Sequence, residues 1–141
     1  MKSYVILGNR PFLTLNKGAV INEYERYCVL SRFCDVYYND IKFFPDKPFS
    51  RETSVNLPSR DYDFTFVRSG LNTPDKKKFF LNLPGIKFWH GPYDPDIYRC
   101  ADAVVAITEQ HRARLYKKPE RVSAQNWFPP KKVILFGQAL T

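Results

Sequence analysis

The chain has 141 residues, carries a net charge of +8, and is 44% hydrophobic and 16% aromatic. This composition fits one globular domain and argues against a disordered protein. No apolar run reaches the roughly 18 residues that span a bilayer, and the first residues lack the apolar core and cleavage site of a signal peptide, so a cytoplasmic protein is expected.

Residues 3–7, SYVIL, are nearly all apolar and predict a short strand, followed by the loop GNRPFLTLNKG. Residues 19–34 place apolar and aromatic side chains at helical spacing without a proline. Asp35 then begins a second extended segment, DVYYN, which is rich in aromatic and β-branched residues. This strand–helix–strand unit requires a parallel sheet with a right-handed crossover.

The rest of the chain alternates in the same way. Three prolines predict a loop over residues 44–60. Further strands are predicted in YDFTFVRSG, IKFWHG, Ala103–Ile107 and KKVILFG, and short helices are predicted after Pro74, in DPDIYRC and after Thr108. Thr108 supplies the hydroxyl of a good N-cap, with Glu109 in the first turn. RVSAQNWFPP is predicted to be irregular.

The strand Ala103–Ile107 is apolar throughout and leads straight into a helix. All-apolar strands suit a parallel sheet that is covered by helices on both faces. The sequence therefore predicts an α/β fold with an open, doubly wound parallel sheet of the Rossmann-like kind. In such sheets the carboxyl ends of the strands border the ligand crevice.

Basic residues form three clusters, which are Lys76-Lys77-Lys78, the segment from Arg112 to Arg121, and Lys131-Lys132. A positive surface attracts nucleic acid, anionic membranes or phosphorylated ligands. The clusters are spread over several predicted elements, and a solvated basic surface is the alternative interpretation.

The cysteines do not indicate a metal site or a disulfide framework. Cys28 and Cys34 are separated by five residues, Cys100 is remote from both, and only two histidines are present. Zinc knuckles need closely spaced cysteine pairs. The sequence therefore predicts reduced, partly buried thiols and no metal.

Three segments resemble the N-terminal domain of GT-B-type glycosyltransferases, the large retaining class that uses nucleotide-sugar donors. NKGAVINEYERYCVLSRFCDVYYN is similar to the family's glycine-bearing first loop, first long helix and second strand. LPGIKFWHG resembles its strand with a histidine at the carboxyl end, and CADAVVAITEQHRARL resembles a characteristic strand–helix junction. A fourth segment, SAQNWFPPKKVILFGQALT, is similar to the passage into the second domain, but no Lys-Gly follows Leu140.

The resemblance spans nearly the whole chain and implies two units. Residues 1–123 would form a Rossmann-like, acceptor-side domain, and residues 124–141 an interdomain linker with the possible first strand of a donor-binding domain. In the family the nucleotide and most diphosphate contacts belong to that second domain. The 141-residue chain is therefore expected to be inactive by itself, as an excised or truncated domain or as a partner of a separate donor subunit.

The resemblance also assigns roles to residues. Gly18 would let backbone approach an anion beside the helix N-terminus, and Lys17 would add a charge, so both are candidates for binding the donor phosphate. His90 is the candidate catalytic residue, in contact with the transferred sugar or its acceptor. Each residue has a simpler interpretation, with Gly18 as a turn glycine and His90 as a locally hydrogen-bonded strand end.

Three further residues are candidates for acceptor binding. Arg10 and Arg68 each follow a predicted strand and could meet a phosphate or an acidic acceptor, or could be solvated. Glu109 follows the next strand, where helix capping also explains its presence. No metal is implied, because backbone amides and basic side chains can neutralise the leaving group; the nucleotide sugar is a co-substrate.

The implied partners are a nucleotide sugar and a sugar or lipid-linked acceptor. Surplus aromatic residues and the basic clusters also suit peripheral contact with an anionic membrane at its inner face. The alternative from another class is a small basic nucleic-acid-binding or nucleotide-binding protein. No nucleic-acid-binding signature, G-x-G-x-x-G fingerprint or P-loop supports that alternative.

Overall fold

The computed structural model describes residues 2–8, 18–46, 55–68 and 73–136. In these ranges the chain forms strands and helices that alternate along the sequence. The strands are β1 (Ser3–Leu7), β2 (Asp35–Tyr38), β3 (Ile41–Lys42), β4 (Phe64–Arg68), β5 (Ile86–His90), β6 (Ala103–Ala106) and β7 (Val133–Leu135). The helices are α1 (Gly18–Leu30), α2 (Lys76–Leu81), α3 (Pro95–Cys100) and α4 (Glu109–Leu115). Within the described ranges, none of these helices combines the length and the apolar character needed to cross a bilayer.

The described strands form one sheet in the order β3-β2-β1-β4-β5-β6-β7. Every neighbouring pair is parallel except β2 and β3. The predicted α/β class and the largely parallel sheet are therefore confirmed. The prediction of an all-parallel sheet is wrong at one edge, where β3 is antiparallel.

Strand β3 arises from a two-residue hairpin turn that the sequence interpretation did not assign. Asn39 and Asp40 both have positive φ angles, 45° and 68°. Two successive residues of this kind make the type I′ turn that matches the twist of a hairpin, and Asn and Asp tolerate the conformation better than other non-glycine residues. The chain therefore reverses after Tyr38, and Ile41 pairs with it.

Each central strand buries both of its faces. On β1, Tyr4 and Ile6 join the core cluster that contains residues of α1, whereas Val5 and Leu7 join the cluster that contains residues of α2 and α3. We call these the first face and the second face. Leu115 of α4 also packs on the second face. Burial on both sides explains why the strands are continuous apolar runs.

The strand order reverses beside β1. The crossover through α1 leads from β1 to β2 on one side, and the crossovers through α2, α3 and α4 build the sheet outward from β4 on the other side. Right-handed crossovers in opposite directions place their helices on opposite faces, as found here. The carboxyl ends of β1 and β4 thus lie where α/β proteins most often bind ligands.

The segment between α4 and β7 has neither helix nor strand and is held by Tyr93. The hydroxyl of Tyr93 donates to the carbonyl of Asn126 and accepts from the N–H of Phe128, both at 3.0 Å. Its ring contacts Trp127 at a centroid distance of 5.2 Å. The chain then enters β7, the outermost strand of the same sheet, beside β6. The expected domain boundary after residue 123 stays a prediction.

Candidate functional site

The carboxyl ends of the parallel strands bring two of the predicted site residues together. Arg68 is the last residue of β4, His90 is the last residue of β5, and the two are register partners on adjacent strands. Arg68 and His90 each lie two positions after a residue of the first face, Phe66 and Phe88 respectively. Because side chains two positions apart in a strand point to the same side, both belong to the first face. Gly18 is the first residue of α1, which follows β1 in the chain. Arg10 and Lys17 lie outside the described residues.

The imidazole of His90 is fixed by the neighbouring strand. Its Nδ1 lies 3.1 Å from the carbonyl oxygen of Val105 on β6. Because a carbonyl can only accept, Nδ1 carries the proton, and Nε2 of the neutral ring keeps a lone pair. The ring also lies beside Phe66, at a centroid distance of 6.3 Å. A neutral His90 can therefore accept a proton or a hydrogen bond through Nε2.

The surroundings of His90 favour this neutral form. Burial lowers the pKa of His90 below its usual value near 6.5, because the charged imidazolium loses hydration. The positive charges of Arg68 and Arg26 lower the pKa further. The hydrogen bond to Val105 acts in the opposite direction without reversing the shift.

Arg26 is a member of this region that the sequence interpretation missed. It lies on α1, and its guanidinium carbon is 4.7 Å from the centroid of the Phe136 ring. Phe136 in turn makes an edge contact with Phe66, at 5.9 Å between centroids. Arg26 thereby reaches the first face near the carboxyl ends of β4 and β5. No local sequence signal marks it, because its position depends on a residue just after β7.

Glu109 lies in the first turn of α4. Thr108 is the N-cap, and its hydroxyl accepts from the N–H of His111 at 3.1 Å, as the sequence predicts. The Glu109 side chain is 73% exposed and lies 3.8 Å from Arg112, its one ion pair among the described residues. His111 Nδ1 accepts from the N–H of Ile107 at 3.3 Å, so this helix start has a reciprocal cap without a glutamate.

The end of β1 is tied to the β2–β3 turn by a side-chain amide. Asn39 Nδ2 donates to the carbonyl of Gly8 at 2.8 Å, and its Oδ1 accepts from the Gly8 N–H at 3.3 Å. A Cβ at Gly8 would lie 3.1 Å from the Tyr38 hydroxyl. The backbone at Gly8 therefore packs closely against the end of β2, at the carboxyl edge of the sheet. The sequence interpretation singled out neither Gly8 nor Asn39.

The three cysteines, all in the described part of the chain, are free thiols. Cys34 is buried, and its Sγ donates to the carbonyl of Leu30 at 3.4 Å. Burial raises the pKa of Cys34 to about 11, which makes it a poor nucleophile. Across the residues that the structure describes, no three His, Cys, Asp or Glu side chains are grouped so that they could hold a metal ion.

The fold and these contacts define an α/β protein with a largely parallel sheet and a cationic, partly buried region around a neutral histidine at its carboxyl edge. Comparison of the chain with models of known protein families, with curated proteins and with solved structures finds no match in any of the three. Its function therefore has to be argued from its own residues.

Proposed function

We propose that this chain is the N-terminal, acceptor-binding domain of a doubly wound, GT-B-type glycosyltransferase, which moves a sugar from a nucleotide-sugar donor to an acceptor. The observation that carries the proposal is the pairing of Arg68 with His90 at the carboxyl edge, beside the reversal of strand order. That edge is the place where a sheet of this topology holds a ligand. The resemblance of the segments around Gly18, His90 and Thr108 to the family supplies the kind of ligand.

In this proposal His90 contacts a sugar hydroxyl. With Nδ1–H directed to Val105, its Nε2 can accept a hydrogen bond from the acceptor or from the sugar being transferred. A lowered pKa keeps the ring neutral at physiological pH, so this acceptor capacity is retained. Arg68 would orient an acidic or phosphorylated part of the ligand beside it.

The donor side of the reaction would belong elsewhere. The GT-B resemblance assigns the nucleotide and most of the diphosphate to a second domain or subunit, with Lys17 and Gly18 contributing from the first loop. Basic side chains and backbone amides, without a metal, would stabilise the departing diphosphate. The 141-residue chain by itself would then bind acceptor without transferring sugar.

Saccharide binding tests the proposal. Isotope-labelled protein is titrated with a panel of mono- and disaccharides while the ring signals of His90 are followed. Binding is expected to shift these signals, and His90→Ala is expected to weaken it. Ile86→Ala is the matched control, because Ile86 is an exposed residue at the opposite end of the same strand. Equal losses in both variants, or no saccharide binding at all, would count against the proposal.

Two further measurements separate the alternatives. Incubation with nucleotide sugars is expected to give no transfer, and sustained turnover by this chain by itself would contradict a donor site in a second domain. The alternative function, nucleic-acid binding, predicts an affinity for oligonucleotides that falls steeply with salt. Such binding in the absence of saccharide binding would favour that alternative.

A further inference from the structure

Arg26 lies against an aromatic ring of the first face, and such a contact uses none of its hydrogen-bond donors. A guanidinium group carries five N–H donors in a planar fork. In the described part of the chain, this group makes a cation–π contact with Phe136 and no hydrogen bond or ion pair. A cation–π contact satisfies no donor. A half-buried arginine whose donors have no partner among residues 2–8, 18–46, 55–68 and 73–136 can bind an external acceptor.

A continuous row of contacts connects Arg26 to the candidate site. Phe136 lies against Phe66, and Phe66 lies against His90. Arg68 is the register neighbour of His90. Two guanidinium groups, one from helix α1 and one from strand β4, thus belong to the same face of the sheet as His90 and are close enough to act on it electrostatically.

We propose that Arg26 and Arg68 form a phosphate-binding site beside His90, so that the ligand of this edge is a phosphate ester. One guanidinium satisfies a carboxylate, whereas two of them match the higher charge and the additional acceptor oxygens of a phosphate. The sugar part of this ligand rests on the proposed function. The phosphate belongs either to a sugar phosphate on the acceptor side or to the diphosphate of the donor.

Calorimetric titration with four probes tests this site, namely glucose, inorganic phosphate, glucose 1-phosphate and UDP. Glucose 1-phosphate is expected to bind at least about tenfold more tightly than glucose, because charge-assisted hydrogen bonds to guanidinium are strong. Tighter binding of glucose 1-phosphate than of UDP places the phosphate on the acceptor side, and the reverse order places it on the donor. Equal binding of glucose and glucose 1-phosphate overturns the site.

Variants test the assignment to Arg26. Arg26→Gln is expected to weaken binding of the phosphorylated probe by about tenfold or more, while Arg32→Gln leaves it unchanged. Arg32 is the matched control, because it is an exposed arginine in the turn that follows α1. Arg26→Lys keeps the charge but not the fork and is expected to lose less. If Arg26→Gln does not fold by circular dichroism, the comparison of Arg26→Lys with Arg32→Lys replaces it. Equal affinities in the Arg26 and Arg32 variants overturn the inference.

The results distinguish this inference from the proposed function. If glucose binds as tightly as glucose 1-phosphate and Arg26→Gln has no effect, the phosphate site is refuted, while the proposal of an acceptor-binding domain still holds. If inorganic phosphate binds as tightly as glucose 1-phosphate and this binding requires Arg26, the phosphate site is supported. The sugar then contributes nothing to affinity, and the proposed sugar recognition loses its support.

Discussion

The Nδ1 of His90 lies 3.1 Å from the carbonyl oxygen of Val105, so a backbone group of one strand determines the tautomer of a side chain on the next. Val105 is fully buried in β6, and its carbonyl position follows from the strand pairing. The orientation of the imidazole is therefore a property of the sheet. A proton arriving at the ring must bind Nε2, where burial and neighbouring positive charges oppose it.

The first prediction concerns pH. Because burial lowers the pKa of His90, its ring signals are expected to titrate below the value of about 6.5 found for an exposed histidine. The unfolded chain then binds this proton more readily than the folded chain. The stability that His90 contributes is complete above about pH 6.5, declines as the pH falls below that value, and is lost once the pH passes the lower pKa of the folded state.

Nuclear magnetic resonance measures the pKa of His90, and urea unfolding between pH 5 and pH 7.5 measures its effect on stability. His90→Gln removes the titrating group, so its stability is expected to vary less over this range than that of the unaltered protein. A pKa of His90 above that of an exposed histidine would contradict the prediction.

The second prediction concerns Asn39, which combines a positive φ with two hydrogen bonds to Gly8. Asn39→Gly keeps the backbone conformation and loses the bonds, at a cost of about 1–2 kcal/mol in the free energy of unfolding. Asn39→Ala loses the bonds and also forces a Cβ into the left-handed region, for a further cost of about 1 kcal/mol. Urea denaturation of both variants measures the difference. Equal stability of the two would show that the turn relaxes without strain.

The third prediction compares two glycines. Gly85 has a φ of +67°, and an added Cβ would lie 2.2 Å from the carbonyl oxygen of Asp63. That oxygen is fixed, because it accepts from the N–H of Ile86 at 3.0 Å. Gly85→Ala is therefore expected to destabilise the fold by about 3 kcal/mol or more.

Gly8→Ala is the milder member of the pair. Its Cβ would meet the Tyr38 hydroxyl, at the far end of a side chain, at 3.1 Å. A loss of about 1 kcal/mol is expected, because a shift of a few tenths of an ångström relieves the contact. Thermal melting ranks the two variants, and a Gly85→Ala protein as stable as Gly8→Ala would refute the argument.

The sequence predicts well those features that depend on neighbouring residues. The apolar run before Thr108 marks a strand buried on both faces, and the Thr108 hydroxyl caps the next helix. The rule that parallel strands end at one edge also predicts that His90 and Arg68 lie at the same edge, and the structure shows that their strands are adjacent. These inferences need only local pattern and the direction of the strands.

The missed features depend on contacts between remote parts of the chain. Asn39-Asp40 lacks the glycine that usually marks a type I′ turn, so the antiparallel β3 was not predicted. Arg26 looks like any polar residue on a helix, and its place on the first face depends on contact with Phe136, which is remote in sequence. The contact of the Glu109 carboxylate with Arg112, one helical turn away, is exposed to solvent, and the expected acceptor-binding role of Glu109 stays a prediction.

The fourth prediction concerns Tyr93, which fixes the segment before β7. Its hydroxyl bonds Asn126 and Phe128, residues 33 and 35 positions further along the chain, while its ring packs on Trp127. Tyr93→Phe keeps the ring and removes both bonds. Because both bonds are exposed to water, a loss of about 1 kcal/mol is expected. The fluorescence of Trp127 should shift to longer wavelength as the segment loosens, whereas Trp89 is 3% exposed and contributes a constant background.

Tyr116→Phe is the matched control for this change. The Tyr116 hydroxyl accepts from the N–H of Val133 at 3.2 Å, at the entrance to β7 and without a ring contact to Trp127. The Tyr116→Phe substitution removes a comparable hydrogen bond, so we expect a similar loss of stability. The emission maximum of tryptophan fluorescence should not change. Hydrogen exchange at the Phe128 amide gives a second readout and should accelerate only in Tyr93→Phe. Unchanged exchange there, together with an unshifted emission maximum, would mean that ring packing alone holds the segment in place.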